Sequence, residues 1–339
     1  MIDDFLLISL IMPCYNVEKY VAQCLDSIYN QDISETLYEV ICVNDCSPDG
    51  TRNIILEYQK KHSNLILIDH LVNKKLGVAR NTGRSKARGK YLWNIDSDDY
   101  IKPNCLKTLI EICEKNELDI LMFNHVFFKN NIEIENTDYP FPNSNSLSGI
   151  DFLNKYCLNS FSEISPVWIQ IYNVEFLNKN NIYSPEINMG EDGPYTYKSL
   201  LSAKRVMSIT KSCYAYRANE NSLSSMVEKK TTAIDLYEKC FLFTMYVSQL
   251  IILIPAEEKD IVSKFESICK YSTSLFPGYL ILMNSSELRK FRKLCIINSI
   301  IIKSLLKWIN RKNKIILFTV FLLPFVNQKI IKWFINQLK

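Results

Sequence analysis

The sequence predicts an α/β protein, a mostly parallel sheet flanked by helices, with a helical C-terminal extension. Three observations lead there. Over the first third, apolar runs of strand length alternate with segments whose apolar residues recur at helical spacing. Polar and acidic residues gather just after those runs, the place where ligands bind in parallel sheets. From about Thr231 onward the pattern turns helical and increasingly apolar and basic.

Leu6 to Met12 is an apolar run that stops at Pro13. Glu18 to Tyr29 then carries Tyr20, Val21, Cys24, Leu25 and Ile28 at helical spacing. Tyr38 to Val43 is the next strand, ended by Asn44-Asp45-Cys46-Ser47-Pro48-Asp49-Gly50, a turn in which Ser47 or Asp49 offers a helix cap. A helix, the strand Leu65 to Asp69, a helix from Gly77 to Ala87 and the strand Tyr91 to Ile95 follow. A helix from Pro103 to Lys115 and a strand from Asp119 to Phe128 complete the pattern. Such β-α-β-α order implies parallel strands, because each crossover lays a helix against the sheet. Lys129 to Ser148, rich in Asn, Ser and Pro, reads as a closing loop, and residues 149–225 supply further helices and short strands. The expected organisation is therefore 1–128, 129–225 and a helical, basic region 226–339.

With 47% hydrophobic and 22% charged residues, the chain is not a disordered one. Its eleven cysteines include no C-x-x-C pair, which suits neither a disulfide frame nor a zinc site. They read as small hydrophobes in a reducing compartment. Met1-Ile2-Asp3-Asp4 carries acid where a secretory signal carries Lys or Arg, so no export is implied. The net charge of +4 hides an asymmetry: residues 285–339 carry +11 and the remainder −7.

Asp96-Ser97-Asp98-Asp99 follows the apolar strand at Tyr91. Three carboxylates within four residues repel one another unless a cation sits among them, and hard oxygen ligands suit Mg²⁺ or Mn²⁺. The bland alternative is a solvated acidic turn. Asp45, after the second strand, is placed to accept from a nucleobase ring N–H on which Tyr15 stacks; an Asx-turn and a core aromatic are the competing readings. Arg80 and Asn81 lie on the helix before the acidic strand, where an arginine reaches a diphosphate or base, or stands in an ordinary solvated pair. Glu191-Asp192 opens a further helix, positioned either to take a proton from an attacking hydroxyl or simply to cap the helix.

Ile11-Met12-Pro13-Cys14-Tyr15-Asn16, Val43-Asn44-Asp45-Cys46-Ser47-Pro48-Asp49-Gly50-Thr51, Ala79-Arg80-Asn81-Thr82-Gly83 and Asp96-Ser97-Asp98-Asp99-Tyr100 together resemble the family 2 glycosyltransferases of the GT-A fold. The resemblance spans roughly residues 8–128 in order, and Gly190-Glu191-Asp192 and Tyr214-Ala215-Tyr216-Arg217 look like that family's acceptor-side motifs. It implies an inverting sugar transfer from a nucleotide-sugar, a UDP-sugar by preference, to a glycan or lipid-linked acceptor of surface polysaccharide synthesis. On this view 1–128 is the nucleotide-sugar-binding half and 129–225 the acceptor-binding half. Pro13, Tyr15, Asn16, Asp45, Arg80, Asp96, Ser97 and Arg217 hold the donor, Asp96 and Asp98 hold Mn²⁺ or Mg²⁺, and Asp192, beside Glu191, is the base. Two departures stand out: Asn44-Asp45-Cys46 where Asp-Asp-Gly is more usual, and Lys74-Lys75 in a loop that is commonly Gly-rich.

The tail from Lys290 mixes cations with Phe291, Trp308, Phe318, Phe321, Trp333 and Phe334. Its longest apolar run, Ile315 to Val326, is twelve residues long, short of the roughly 20 needed to cross a bilayer. Cationic amphipathic segments with boundary tryptophans bind anionic lipid surfaces. The expectation is thus a cytoplasmic protein, peripheral at the inner face of the plasma membrane, with a helical core or dimer interface as the competing use of the tail. No nucleic-acid-binding module accompanies the charge, and a homo-oligomer is left open. Among rival functions, a haloacid-dehalogenase-like phosphohydrolase also ends an apolar strand in D-x-D, but Asp99-Tyr100 stands where Thr or Val is usual, and the motif follows the fourth strand. A sugar-nucleotide pyrophosphorylase would show a Gly-rich basic loop after the first strand. A non-catalytic membrane adaptor would not need Asp45, Asp96, Asp98 and Asp192 intact.

Overall fold

A computed structural model describes residues 6–129, 132–136, 141–157, 164–187, 190–217, 232–274 and 286–287. The chain divides into two compact units, 1–219 and 220–339. The expected membrane-docking tail lies outside the described residues.

The first unit is built on one sheet. Four parallel strands open it: β1 (Ile8–Cys14), β2 (Tyr38–Asn44), β3 (Leu65–Asp69) and β4 (Tyr91–Asn94), side by side as β3-β2-β1-β4. All seven residues of β1 and of β2 are buried, as strands covered on both faces must be. β1 runs two residues further than the proline-terminated reading. The Pro13 carbonyl faces the β4 side, where it accepts from Ser97 Oγ at 2.7 Å, so the missing Pro13 N–H faces that side too. The β1–β4 ladder has already ended at Ile11 and Asn94, and no ladder bond is lost.

The remaining strands are β5 (Tyr100–Ile101), β6 (Ile120–Lys129), β7 (Ile132–Glu135), β8 (Gln170–Asn173) and β9 (Val206–Arg217). Here the mostly parallel expectation is corrected. β8 runs antiparallel to both β4 and β6, β5 antiparallel to β9, and only β6 and β9 are parallel. Apolar periodicity reports that a segment is a strand, not which way it runs. The loop expected from Lys129 to Ser148 contains β7, which pairs back on β6; its alternating Ile-Glu-Ile-Glu is a period-2 signal. A register shift in the β6–β9 ladder at Phe123 to His125 lets β9 continue toward the tips of the parallel strands.

Helices α1 (Val21–Tyr29), α2 (Thr51–Gln59), α3 (Leu76–Arg84) and α4 (Leu106–Lys115) fall between the early strands. Val21, Cys24, Leu25 and Ile28 form the buried stripe of α1, as their spacing predicts. Neither expected cap occupies the N-cap position of α2: Gly50 stands there, and Asp49 accepts from Thr51 N–H at 3.2 Å. Gly83 allows α3 to lie on β1, since a Cβ there would meet Ile11 Cγ2 at 2.5 Å. Trp93 is fully buried, donates Nε1–H to the Trp168 carbonyl at 2.8 Å and meets Phe123 edge to face. Later come α5 (Gly149–Phe152), α6 (Val174–Lys179) and α7 (Asp192–Ser202).

In the second unit α8 (Ala233–Leu250) begins at a capping box between Thr232 and Asp235. It packs on α9 (Lys259–Ser274) through Phe241, Val247, Phe265 and Cys269, all buried. Over these residues the helical extension is present. Among the described residues no helix is long and apolar enough to cross a membrane.

Candidate active site

The residues after β4 fold into a turn, with Asp99 N–H donating to the Asp96 carbonyl at 3.1 Å. β9 holds that turn from outside. Tyr214 Oη donates to Asp99 Oδ2 at 2.8 Å and accepts from Asp96 N–H at 3.0 Å. Arg217 N–H donates to Asp99 Oδ1 and Arg217 Nε to the Asp98 carbonyl, each at 2.7 Å. Trp168 stacks on Tyr214 at 4.6 Å and on Tyr216 at 5.3 Å, which fixes the aromatic end of β9. Asp99 is therefore committed to β9. Burial and its acidic neighbours push its carboxyl well above the ordinary range.

The other two acids differ from it and from each other. The Asp98 side chain is half-buried and forms no ion pair among the described residues. Burial first, then the charge of Asp96, pushes its carboxyl up to about 6. With Asp96 it makes a pair of hard carboxylates, one of them costly to ionise, that would suit a divalent cation. Asp96 is instead ion-paired.

Its partner is Arg80 on α3, only 3% exposed. Nη2 reaches Asp96 at 2.9 Å, while Nη1 reaches Glu191 at 3.0 Å and Asp192 at 2.5 Å. One cation thus faces three acids, and the cluster keeps an excess of negative charge. Asp192 opens α7, where the helix dipole favours a carboxylate. Burial nevertheless dominates and pushes its carboxyl up to about 7, against the pull of Arg80. A half-buried carboxyl poised there can take a proton near neutral pH.

The tips of β2 and β3 make a second polar group. Asp45 accepts from His70 Nδ1 at 2.6 Å and from Lys74 N–H at 2.8 Å on Oδ1, and from Lys75 N–H at 2.8 Å on Oδ2. Lys75 adopts φ 76°, ψ 163°, a conformation that glycine takes easily and a lysine only when its surroundings enforce it. The Gly-rich expectation for this loop thus meets a real conformational demand, satisfied here by hydrogen bonds. Asn44 donates Nδ2 to Asp69 at 2.7 Å and accepts from Ser47 N–H at 3.1 Å. An aspartate in its place would face Asp69 with like charge, which accounts for the Asn in this chain.

Of the residues expected from sequence, Arg80, Asp96, Glu191 and Asp192 meet in one cluster, with Asp98 on the adjoining turn and Arg217 at the end of β9 beside it. Tyr15 at the tip of β1 is 44% exposed, and Asn16 beside it has φ 58°. Three of the expected donor ligands have protein partners. Asp45, read as the acceptor for a base N–H, spends its carboxylate on His70 and the loop amides. Arg80, read as a diphosphate or base ligand, has both Nη groups on carboxylates. Ser97 donates to the Pro13 carbonyl, a tie between β1 and the acidic turn. Sequence reasoning missed His70 and Trp168, and singled out Tyr214 only as part of an acceptor-side motif. His70 directly follows β3, so the strand-tip rule pointed at it; Trp168 lies in a short segment with no such signal.

Residues 9–165 match the family model described as Glycosyl transferase family 2. The glycosyltransferase EpsJ of Bacillus subtilis is 32% identical over 226 residues, 66% of this chain and 64% of EpsJ. TarS of Staphylococcus aureus, a poly(ribitol-phosphate) beta-N-acetylglucosaminyltransferase, is 29% identical over 234 residues, 68% of this chain and 38% of TarS. A crystal structure of a TarS fragment with UDP-GlcNAc superposes with a TM-score of 0.61 at 24% identity, covering 82% of this chain and 84% of that one. The mannosyltransferase PcManGT from Pyrobaculum calidifontis, solved with GDP-Man and Mn²⁺, superposes with a TM-score of 0.52 at 15% identity, covering 97% and 86%. The shared architecture is the GT-A fold. The chain spans less than two thirds of the length of EpsJ and of TarS.

Proposed function

The chain belongs to glycosyl transferase family 2, and from that premise we propose that it is an inverting, metal-dependent transferase. It moves a sugar from a nucleotide-sugar, a UDP-sugar by preference, to a hydroxyl of a lipid-linked or surface-polysaccharide acceptor. The observation that carries the reading is the Arg80 cluster. A single buried guanidinium joins Asp96 of the acidic turn to Asp192 at the start of α7, and the reading assigns the first to the leaving group and the second to the attacking hydroxyl.

In a single displacement the acceptor oxygen bonds to the anomeric carbon as the bond to the nucleotide diphosphate breaks, and configuration inverts once. Asp192 takes the hydroxyl proton, with Arg80 at 2.5 Å to stabilise its ionised form. Asp96 and Asp98 would hold a divalent cation, which would supply charge neutralisation to the departing diphosphate. Arg217, Tyr214 and Asp99 keep those two acids in place. Support for UDP comes from the TarS complex with UDP-GlcNAc, and support for a metal from the PcManGT complex with Mn²⁺. The +11 charge of residues 285–339 supports a peripheral, cytoplasmic-face position near a lipid-linked acceptor.

The test is nucleotide diphosphate release from a panel of nucleotide-sugars with Mn²⁺, with and without lipid-linked acceptors. Loss of leaving-group stabilisation in Asp98→Ala should lower kcat by about 10²- to 10⁴-fold with the circular dichroism unchanged. Near-normal transfer in that variant would overturn the metal assignment. A non-catalytic adaptor would show no Mn²⁺-dependent thermal stabilisation by UDP.

A further inference from the structure

We propose that His70 is a positioning residue of the donor site, acting through Asp45 to set the loop Leu71–Lys75; this rests on reading the strand tips as a nucleotide-sugar site. His70 is buried directly after β3. Its ring spans two elements, with Nδ1 2.6 Å from Asp45 Oδ1 and Nε2 3.0 Å from Thr82 Oγ1 on α3. An ionised carboxylate only accepts, so Nδ1 carries the donated proton. Asp45 in turn accepts the amides of Lys74 and Lys75, which makes His70 the support behind the acceptor that holds the loop.

Two further observations favour this brace over side-chain packing as what sets the loop, in which Lys75 N–H also donates to Asn73 Oδ1 at 3.2 Å. Leu71 is 93% exposed and Val72 61%, so the loop's apolar side chains do not anchor it. Lys75 holds a backbone conformation that non-glycine residues leave unless held there. Lys75 is also where α3 begins, five residues before Arg80. Lys74 and Lys75 line a cavity of about 170 Å³ together with Gly77, Val78, Glu186 and Ile187. A loop released from Asp45 would change that cavity and the start of the helix that carries Arg80.

The test compares the full-length chain with His70→Ala and with His70→Asn, whose amide nitrogen takes the place of Nδ1. Hydrogen exchange reads the brace without any substrate. In His70→Ala the amides of Lys74 and Lys75 should exchange about tenfold faster or more, with β1 and β2 unchanged, while His70→Asn stays near wild type. The donor KM should rise about tenfold in His70→Ala with kcat within about threefold, and His70→Asn should restore most of it. Unaltered exchange at Lys74 and Lys75 in His70→Ala overturns the inference. Faster exchange across the whole sheet, or a fall in kcat with KM untouched, overturns it equally. If the wild-type chain releases nucleotide diphosphate from no donor, the transferase reading fails, and exchange still decides the brace.

Discussion

At the scale of single residues, Arg80 decides most. Each of its acidic partners is in part withdrawn from water, and a lone buried carboxylate is far costlier than a paired one. Arg80→Met would remove the cation and leave Asp96, Glu191 and Asp192 facing one another. The expected loss is about 3–5 kcal/mol, read as a lower urea midpoint. Arg80→Lys should not restore it, since a point charge cannot reach acids on two sides as a planar fork does. Asp192 gives a pH prediction. Its folded carboxyl titrates at about 7 against an ordinary 3.8, so between those values the folded chain holds a proton that the unfolded chain has released. That contribution to stability is full below 3.8 and declines as pH rises through about 7. Transfer should show the opposite trend, with a rate that climbs with pH through about 7 as the base ionises. An unfolding and rate series from pH 5 to 8.5, repeated on Asp192→Asn, would check both signs; a rate flat across that range in the wild-type chain would remove Asp192 from the role of base.

At the scale of elements, the acidic turn is held less by its own strand than by β9. Tyr214 both donates to Asp99 and accepts from Asp96 N–H, so one hydroxyl ties both ends of the turn. Tyr214→Phe would strand a buried carboxylate oxygen and an amide. It should cost about 1–3 kcal/mol, and Mn²⁺ affinity should fall about tenfold, as when the support of a metal ligand is lost. Calorimetric titration with Mn²⁺ beside a thermal melt would separate the two effects. This partnership was only half legible in sequence. Tyr214 to Arg217 stands out as a motif, but that its strand pairs with Tyr100–Ile101, two residues past Asp98, is a fact of long-range pairing. The early strands were legible because each is a short apolar run followed at once by polar residues. β8 was not, because four residues carry too little pattern to reveal a direction.

At the scale of the whole molecule the charge is divided, with the net positive charge gathered beyond Asn284. Binding to anionic vesicles should accordingly be strong at low salt and fall steeply by about 0.5 M as the charges are screened. A chain ending at Asn284 should stay in solution in the same flotation assay; equal flotation of both chains would place membrane attraction elsewhere. The sequence by itself determined the alternation of strands and helices, the acids at strand ends, the family and the basic tail, because each is written in neighbouring residues. Only the tertiary structure decided that Arg80 draws Asp96 toward Glu191 and Asp192, that Asp99 turns away to Tyr214, and that His70 stands behind Asp45. Those partners lie far apart along the chain, and no local pattern encodes which distant charge or donor a side chain will meet once the sheet has closed.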